Sequence, residues 1–323
     1  MNNNAQISRN PEKAPRIAAI DIARGVALLA MAIYHFAWDL EFFGYAAPGT
    51  TLQVEWKYFA RAIASSFLML VGVSLVLGHQ RGLNLRSFGI RLGKVALAAG
   101  LISLATWFAM PGGFIFFGIL HSIALGSVLA LVFLKLPWLV NLVAAVFFIS
   151  APLYLKTELL SASIWYWLGL APTPPASNDY VPIFPWFGLI LLGMAIARLA
   201  LNLGFNQVLA RWKPDNKVTR SFTFFSKHSL LTYLIHQPLL LGSLYVFVTI
   251  TGGPDRTPAF ISACETNCSL TRNGKFCEKF CACSINDLKQ QKLWQPLHDR
   301  QIDINTDPQV KAITNSCSIK SEE

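Results

Sequence analysis

Seven long apolar runs constrain the fold of this chain more than any other feature. They cover residues 17–38, 58–78, 92–110, 114–134, 137–155, 183–203 and 229–250. About 20 mostly apolar residues are needed for a helix to cross a bilayer. Charged residues make up 14% of the chain, whereas soluble domains usually contain about a quarter. We therefore expect an all-α fold, a polytopic bundle of about seven transmembrane helices embedded in a lipid bilayer.

The distribution of basic residues predicts the orientation of this bundle. The segments on the side of the N-terminus contain fourteen lysines and arginines, and the loops on the opposite side contain two. Basic loops stay in the cytoplasm, so we expect a cytoplasmic N-terminus and a C-terminus outside. Residues from 251 onward carry nine basic and nine acidic side chains. The formal charge of +10 therefore belongs to the membrane region, and it does not indicate a nucleic-acid partner.

All six cysteines lie in the C-terminal tail, which the predicted orientation places in an oxidising compartment. There an even set of cysteines is typical of disulfides. The two C-x3-C pairs flank a turn signal at Arg272–Gly274, and residues four apart share a helix face. A helical hairpin with nested bridges, such as Cys264–Cys281 and Cys268–Cys277, fits this spacing, although connectivity stays open. A zinc site is the alternative, but we expect no metal. The cysteines are Cys264, Cys268, Cys277, Cys281, Cys283 and Cys317.

Composition divides the chain into three parts. Residues 1–15 are polar and are expected to form a disordered cytoplasmic arm. Residues 16–250 hold all seven apolar runs and form the predicted membrane domain. Residues 251–323 open with TGGPDRTP and form the predicted extracytoplasmic, cysteine-rich tail, which we expect to be helical.

The first span contains four ionisable residues that align on one side of a helix. At about 100° per residue, Asp21 and Asp39 point the same way, and Arg24 and His35 lie about 60° and 40° to one side. Each charge exposed to lipid would destabilise the span by several kcal/mol. This polar stripe should therefore face protein or water. Arg24 and His35 are separated by about 16 Å along the axis.

Two interpretations remain open for each end of the polar stripe. Arg24 could bind an anionic donor, because its guanidinium fork matches phosphate, or it could pair with Asp21 and orient the helix. Asp39, four residues after His35, could fix the tautomer of a histidine that acts as general base. The same pair could instead be a simple salt bridge on the helix surface.

Two further histidines lie within predicted spans. His121 enters the fourth span from its outer end. His236 lies near the middle of the seventh span, two residues before Pro238. A proline within a span leaves backbone carbonyls in need of other partners. The His236 imidazole could have that structural role, or it could be a second candidate for catalysis.

Several motifs resemble a bacterial domain-of-unknown-function family that is grouped with the catalytic domain of heparan-alpha-glucosaminide N-acetyltransferase. The resemblance begins with R-x4-D-x2-R-G-x-A-L-x2-M at 16–31 and YHFAWD at 34–39. It continues in FARAIASSFLMLVGVSLVLGH, FIFFGILHSIAL, NDYVPIFPWFG and HSLLTYLIHQPLL. It covers most of residues 16–245, and its opening also looks like the wider superfamily of integral-membrane acyltransferases.

The resemblance implies an activity and some of its residues. It implies transfer of an acyl group, often acetyl from acetyl-CoA, from the cytoplasm to a sugar amine or hydroxyl on the far side. Acetyl-CoA or another acyl-CoA would be a co-substrate, and no bound cofactor is expected. The acceptor would be an envelope glycan or lipid-linked sugar of a bacterial inner membrane. His35 matches the family's proposed catalytic histidine, and Arg24 its arginine. The resemblance also includes three further positions of the family's sequence pattern to which it assigns no role, namely His121, Asp39 and Asp179.

Two other functions fit parts of the sequence. Intramembrane Asp, Arg and His residues also form proton relays, so a proton-coupled transporter is one alternative. Transporters often contain matched halves, which this sequence does not show. The other alternative is a non-enzymatic membrane module that presents the cysteine-rich tail to a partner.

Overall fold

The computed structural model describes residues 17–47, 49–80, 82–212, 216–255, 257–298, 302 and 306–322. Within these ranges helices are joined by loops and turns, and there is no β-strand. The predicted arm at 1–15 lies outside them. The helices are α1 (Ala18–Phe42), α2 (Val54–Gly78), α3 (Leu85–Ala109), α4 (Ile119–Phe133), α5 (Trp138–Ser150), α6 (Ile183–Asn202), α7 (Phe205–Arg211), α8 (Lys217–Lys227), α9 (Ser229–Thr251), α10 (Thr257–Cys268), α11 (Gly274–Gln290), α12 (Trp294–His298) and α13 (Pro308–Glu322).

The helices confirm the predicted all-α, polytopic architecture. Five of them, α1, α2, α3, α6 and α9, are long and apolar enough to cross a membrane. The other two predicted spans are shorter, because α4 has 15 residues and α5 has 13. Fifteen helical residues rise about 22 Å, which is less than the roughly 30 Å hydrocarbon thickness of a bilayer.

Helix α4 is short because residues 114–118 before it are non-helical and bonded elsewhere. The predicted span begins at residue 114, but the helix begins at Ile119. Backbone N–H groups of Asn178 and Val181 donate to the carbonyls of Gly113 and Phe117, at 2.9 and 3.0 Å. These long-range bonds replace helical ones over 114–118, and an apolar run cannot reveal them.

The chain divides into two compact units. The first comprises the described residues up to Phe36 together with Gln53–Leu240. The second comprises Ala37–Leu52 and Leu241–Glu323. The boundary that we expect at residue 250, between membrane domain and tail, stays a prediction.

Helix α6 is the centre of the first unit. Its residues Phe187, Ile190 and Met194 are almost completely buried in the main hydrophobic cluster. Glycines allow the neighbouring helices to approach closely. A Cβ atom on Gly72 of α2 would lie 2.0 Å from the Ile190 carbonyl oxygen, and one on Gly193 would lie 2.1 Å from that of Met69. Small residues at helix interfaces permit such backbone contact in membranes.

Three disulfides link the helices of the C-terminal tail. Cys264–Cys281 and Cys268–Cys277 join α10 to α11 as the predicted nested pair. Cys283–Cys317 joins α11 to α13, where Leu288, Val310 and Ile313 form a small buried core. Because all six cysteines are paired, no thiolate remains for the alternative zinc site.

We expect the three disulfides to contribute unequally to the stability of the tail. Loop-closure entropy predicts a loss of about 4 kcal/mol when the Cys283–Cys317 bridge, which spans 34 residues, is replaced by serines. The Cys268–Cys277 bridge spans 9 residues, and its loss should destabilise the tail by about 3 kcal/mol. Hydrogen exchange of α13 in the intact protein measures this difference. Equal protection of α13 in the two double variants would contradict the expectation.

Candidate functional site

The polar stripe of α1 faces protein, as helix geometry predicts. Asp39 is 0% exposed, and the side chains of Asp21 and Arg24 are 14% and 22% exposed. The opposite side of the helix is apolar, with about half of each side chain exposed at Val26, Leu29 and Ile33. The helix therefore presents its apolar side outward and its ionisable side to the protein.

Arg24 lies at the centre of a polar group that we call the arginine cluster, formed by Asp21, Arg24, Ser74 and Ser226. The Arg24 Nη1 donates to Asp21 Oδ1 at 3.3 Å and to Ser226 Oγ at 3.2 Å, and Nη2 donates to Ser74 Oγ at 2.9 Å. The Ser226 hydroxyl donates to Asp21 Oδ1 at 3.1 Å. The cluster joins α1 to α2 and α8. Arg24 thus pairs with Asp21, which is the orienting interpretation; its contact with a donor stays a prediction.

Replacement of Arg24 by leucine should destabilise the first unit. The change leaves the largely buried Asp21 carboxylate and the Ser74 hydroxyl without their arginine. A broken, partly buried ion pair costs about 2–4 kcal/mol. The measurement is the thermal midpoint of the purified protein in detergent. The matched control is Arg61→Leu on α2, because the Arg61 guanidinium is exposed and lies 5.9 Å from the Tyr58 ring. Equal shifts in both variants would exclude a special role for the arginine cluster.

His35 and His236 lie side by side, and we call them the histidine pair. Their ring centroids are 4.9 Å apart, with the planes at 64°. Tyr34 contacts the edge of His35 at 5.7 Å and Tyr233 contacts His236 at 5.7 Å. Asp39 lies one turn further along α1, and its hydrogen bond to His35 stays a prediction. The structure thus brings the predicted catalytic histidine together with a histidine from the last span.

The arginine cluster and the histidine pair both join α1 to the α8–α9 segment, at different positions along the axis of α1. Arg24 and His35 are eleven residues apart on α1, a rise of about 16 Å. Their partners Ser226 and His236 are ten residues apart at the end of α8 and in α9. Helix α1 therefore runs alongside the α8–α9 segment.

His121 has a structural role at the start of α4. The Gly118 N–H donates to His121 Nδ1 at 3.2 Å, so that nitrogen carries no proton. The other nitrogen, Nε2, then donates to Ser103 Oγ at 3.2 Å, and the Ser103 hydroxyl donates to the Ile115 carbonyl. Both ring nitrogens are engaged, and the side chain caps the start of α4 by accepting the Gly118 N–H. His121 is therefore separate from the histidine pair.

Asp179 also binds the start of α4. Its Oδ2 accepts the Ile119 N–H at 2.9 Å. A Cβ atom on Gly118 would lie 2.2 Å from the same oxygen, so glycine is required there for the carboxylate to approach. Burial raises the pKa of Asp179 to about 6, although the Ile119 hydrogen bond acts in the opposite direction. Tyr233 of α9 lies within electrostatic range of this carboxylate.

Stability should fall between pH 4 and pH 7 because of Asp179. A carboxyl whose pKa is about 6 in the folded protein and 3.8 otherwise binds more protons when folded, so its stabilising effect is lost as the pH rises through 6. Because the side chain is partly exposed, we expect about 1–2 kcal/mol. Asp179→Asn keeps an acceptor for Ile119 and removes the titration. Thermal midpoints are measured in detergent at pH 4, 5, 6 and 7. The wild-type midpoint should fall relative to that of the variant as the pH rises from 4 to 7. Parallel curves would contradict this assignment.

The sequence did not indicate the neutral polar residues of these groups. Ser74 and Ser226 complete the arginine cluster, Ser103 binds His121, and Tyr233 supplies the carbonyl that His236 contacts at 2.7 Å. A serine or tyrosine within an apolar run is compatible with any helix face. The signal that could have identified Ser226 is its position at the end of an amphipathic, basic helix.

Within the described part of the chain, the one group of three close potential metal ligands is Cys283, Asp287 and Cys317. Its two sulfur atoms form a disulfide, so this group lacks thiolate ligands.

The membrane region matches a known protein family. A family model described as heparan-alpha-glucosaminide N-acetyltransferase, catalytic, matches residues 16–238, more than half of the chain. No curated relative and no solved structure matches the chain.

Proposed function

This chain belongs to the heparan-alpha-glucosaminide N-acetyltransferase catalytic family. From that membership we propose that it is an integral-membrane acyltransferase with the reaction described below. The family indicates an enzyme of the acetyltransferase type in general. The proposed reaction moves an acetyl or other acyl group from a CoA thioester to an amine or hydroxyl of an envelope glycan or lipid-linked sugar. The protein would work in the inner membrane of a bacterium.

The observation that carries the proposal is the position of His35. It lies within the matched residues, on the protein-facing side of α1, and its ring contacts a second imidazole. In the proposed reaction the acceptor attacks the thioester carbonyl carbon, a C–N or C–O bond forms, and the C–S bond breaks. His35 takes the acceptor's proton on one ring nitrogen, as general bases in acyl transfer do. The CoA thiolate leaves and is protonated to the thiol.

The proposed direction follows the basic loops. Fourteen basic residues on one side favour that side as cytoplasmic, where CoA thioesters would be available. The disulfide-linked tail would then lie outside, where disulfides persist. The arginine cluster would hold α1 in register near the donor side. About 16 Å separates it from the histidine pair, so the donor's flexible arm has to reach inward toward His35.

The test is label transfer across a sealed membrane. The purified protein is placed in vesicles with acetyl-CoA labelled on the acetyl group on one side, and glucosamine-terminated glycans or lipid-linked glucosamine on the other. We expect labelled acceptor only when the donor is on the side of the N-terminus. Folded protein that labels neither itself nor any acceptor would overturn the proposal. If the same vesicles instead carried protons against a gradient, the transporter alternative would replace it.

A further inference from the structure

We propose that His236 is the positioning residue of a two-histidine relay, in which it accepts a proton from His35 during acyl transfer. This inference rests on the proposed function and adds a second group to it. Three observations carry it: the fixed tautomer of His236, its buried acceptor nitrogen, and the distance between the two rings.

The hydrogen bond to Tyr233 fixes which nitrogen of His236 carries the proton. Nδ1 lies 2.7 Å from the Tyr233 carbonyl oxygen. A carbonyl oxygen only accepts, so Nδ1–H is the donor. The neutral ring therefore presents an unprotonated Nε2. The carbonyl that Pro238 leaves without its helical donor is that of Leu234, one residue further on, so this bond is not a simple repair of the proline break.

The free nitrogen of His236 is buried. Nε2 has almost no solvent contact and no hydrogen-bond partner among the described residues. An unsatisfied buried acceptor costs about 1–3 kcal/mol. A protein that keeps such an acceptor beside another imidazole retains a group that can receive a proton.

The distance between the rings suits proton transfer between them. Two imidazoles that share an N–H···N hydrogen bond of about 2.9 Å have ring centroids roughly 5 Å apart. The observed separation is 4.9 Å. The relay requires a side-chain rotation that brings an N–H of His35 into line with His236 Nε2, and the ring separation permits such a bond.

The relay keeps the proton balance of the transfer. His35 takes the acceptor's proton on one ring nitrogen and passes the proton of its other nitrogen to His236 Nε2, so that His35 stays neutral and His236 becomes the cation. The C–N or C–O bond of the product forms as the thioester C–S bond breaks. His35 then gives the acceptor's proton to the CoA thiolate, which becomes the thiol, and His236 returns its proton to the other nitrogen of His35, which restores the starting state.

The other titratable groups near the pair are few in the described structure. Tyr34 and Tyr233 contact the rings, Asp39 lies one turn along α1, and Asp179 lies within electrostatic range of Tyr233. The facing side of α2 contributes Trp56, which contacts Tyr34 at 6.2 Å and does not titrate. A change in pH dependence on replacing His236 should therefore arise chiefly from the histidine pair.

The test separates the relay from a structural role of His236. In His236→Asn, the asparagine Nδ2–H can take the place of Nδ1–H and keep the bond to the Tyr233 carbonyl, whereas nothing replaces Nε2. For transfer from acetyl-CoA we expect kcat to fall about 10²-fold or more, KM to stay the same, and the pH profile to change from two coupled ionisations to one. Wild-type kcat in His236→Asn would overturn the relay and leave only the carbonyl bond.

A second measurement does not depend on acyl transfer, so it distinguishes failure of the relay from failure of the proposed function. Modification of His35 by diethyl pyrocarbonate is followed by mass spectrometry in wild type and His236→Asn, from pH 5 to pH 8. If His236 accepts the His35 proton, the wild-type rate follows two ionisations and falls several-fold in the variant. If His35 reacts identically in both proteins, the relay is wrong, whether or not the enzyme transfers acyl groups.

Discussion

Replacement of His35 by alanine is expected to lower kcat for acyl transfer by about 10²–10⁴-fold, the range that a positioned general base contributes. The variant removes the one imidazole that combines the protein-facing position on α1 with contact to His236. The donor and acceptor should still bind, because the arginine cluster lies about 16 Å away. KM should therefore change little, and the loss should appear in kcat. Steady-state transfer from labelled acetyl-CoA measures both.

The control for this prediction is His79→Ala. His79 follows α2 and contacts the Leu75 carbonyl through Nδ1 at 2.7 Å. It is a histidine at the end of a span, with no part in the histidine pair. We expect its replacement to leave kcat within about twofold, because it touches none of the proposed reacting groups. Comparable losses in both variants would mean that the effect of His35 is structural.

Replacement of Gly193 or Gly72 by alanine is expected to have the largest effect on stability. Each added Cβ atom would overlap a backbone carbonyl of the facing helix, at 2.1 Å for Gly193 and 2.0 Å for Gly72. A backbone oxygen cannot rotate away, so α2 and α6 must separate. Their interface contains Ile190 and Met194, both fully buried. We expect a loss of about 3–5 kcal/mol or failure to assemble. The measurements are the thermal midpoint and the yield of monodisperse protein in detergent.

Gly100→Ala is the matched control on α3. Apart from the local backbone of α3, no atom of the described residues lies within 4 Å of the Cβ position at Gly100, and alanine favours a helix over glycine by about 1 kcal/mol. The control should be neutral or slightly more stable than wild type. If Gly193→Ala behaves in the same way, the close approach of α2 and α6 is incorrect.

The features that sequence reasoning predicted correctly are local ones. The side of α1 that carries Asp21, Arg24, His35 and Asp39 follows from helix periodicity alone. The nested bridges agree with the pairing that cysteines four residues apart on either side of a turn suggest, although the spacing alone left the connectivity open.

The features that it did not predict depend on which distant segments become neighbours. Apolar runs do not specify the order in which spans pack, so the contact of His35 with His236 could not be derived from them. His121 offered the same signal as His35, a histidine near the outer end of a span. Its role as a cap depends on Ser103 and Ile115, which precede it in the chain. The 114–118 stretch is equally apolar whether it is helical or non-helical.

The two contacts of α1 with the α8–α9 segment fix both the rotation of this helix about its axis and its position along that axis. With the Arg24 contact alone, α1 could still pivot about that point. With contacts at both Arg24 and His35, the helix cannot shift or rotate without breaking one of them, since a shift of one residue displaces a side chain by about 1.5 Å and 100°. Any force that rotates α1 at its Arg24 end therefore changes the alignment of the two imidazoles about 16 Å away.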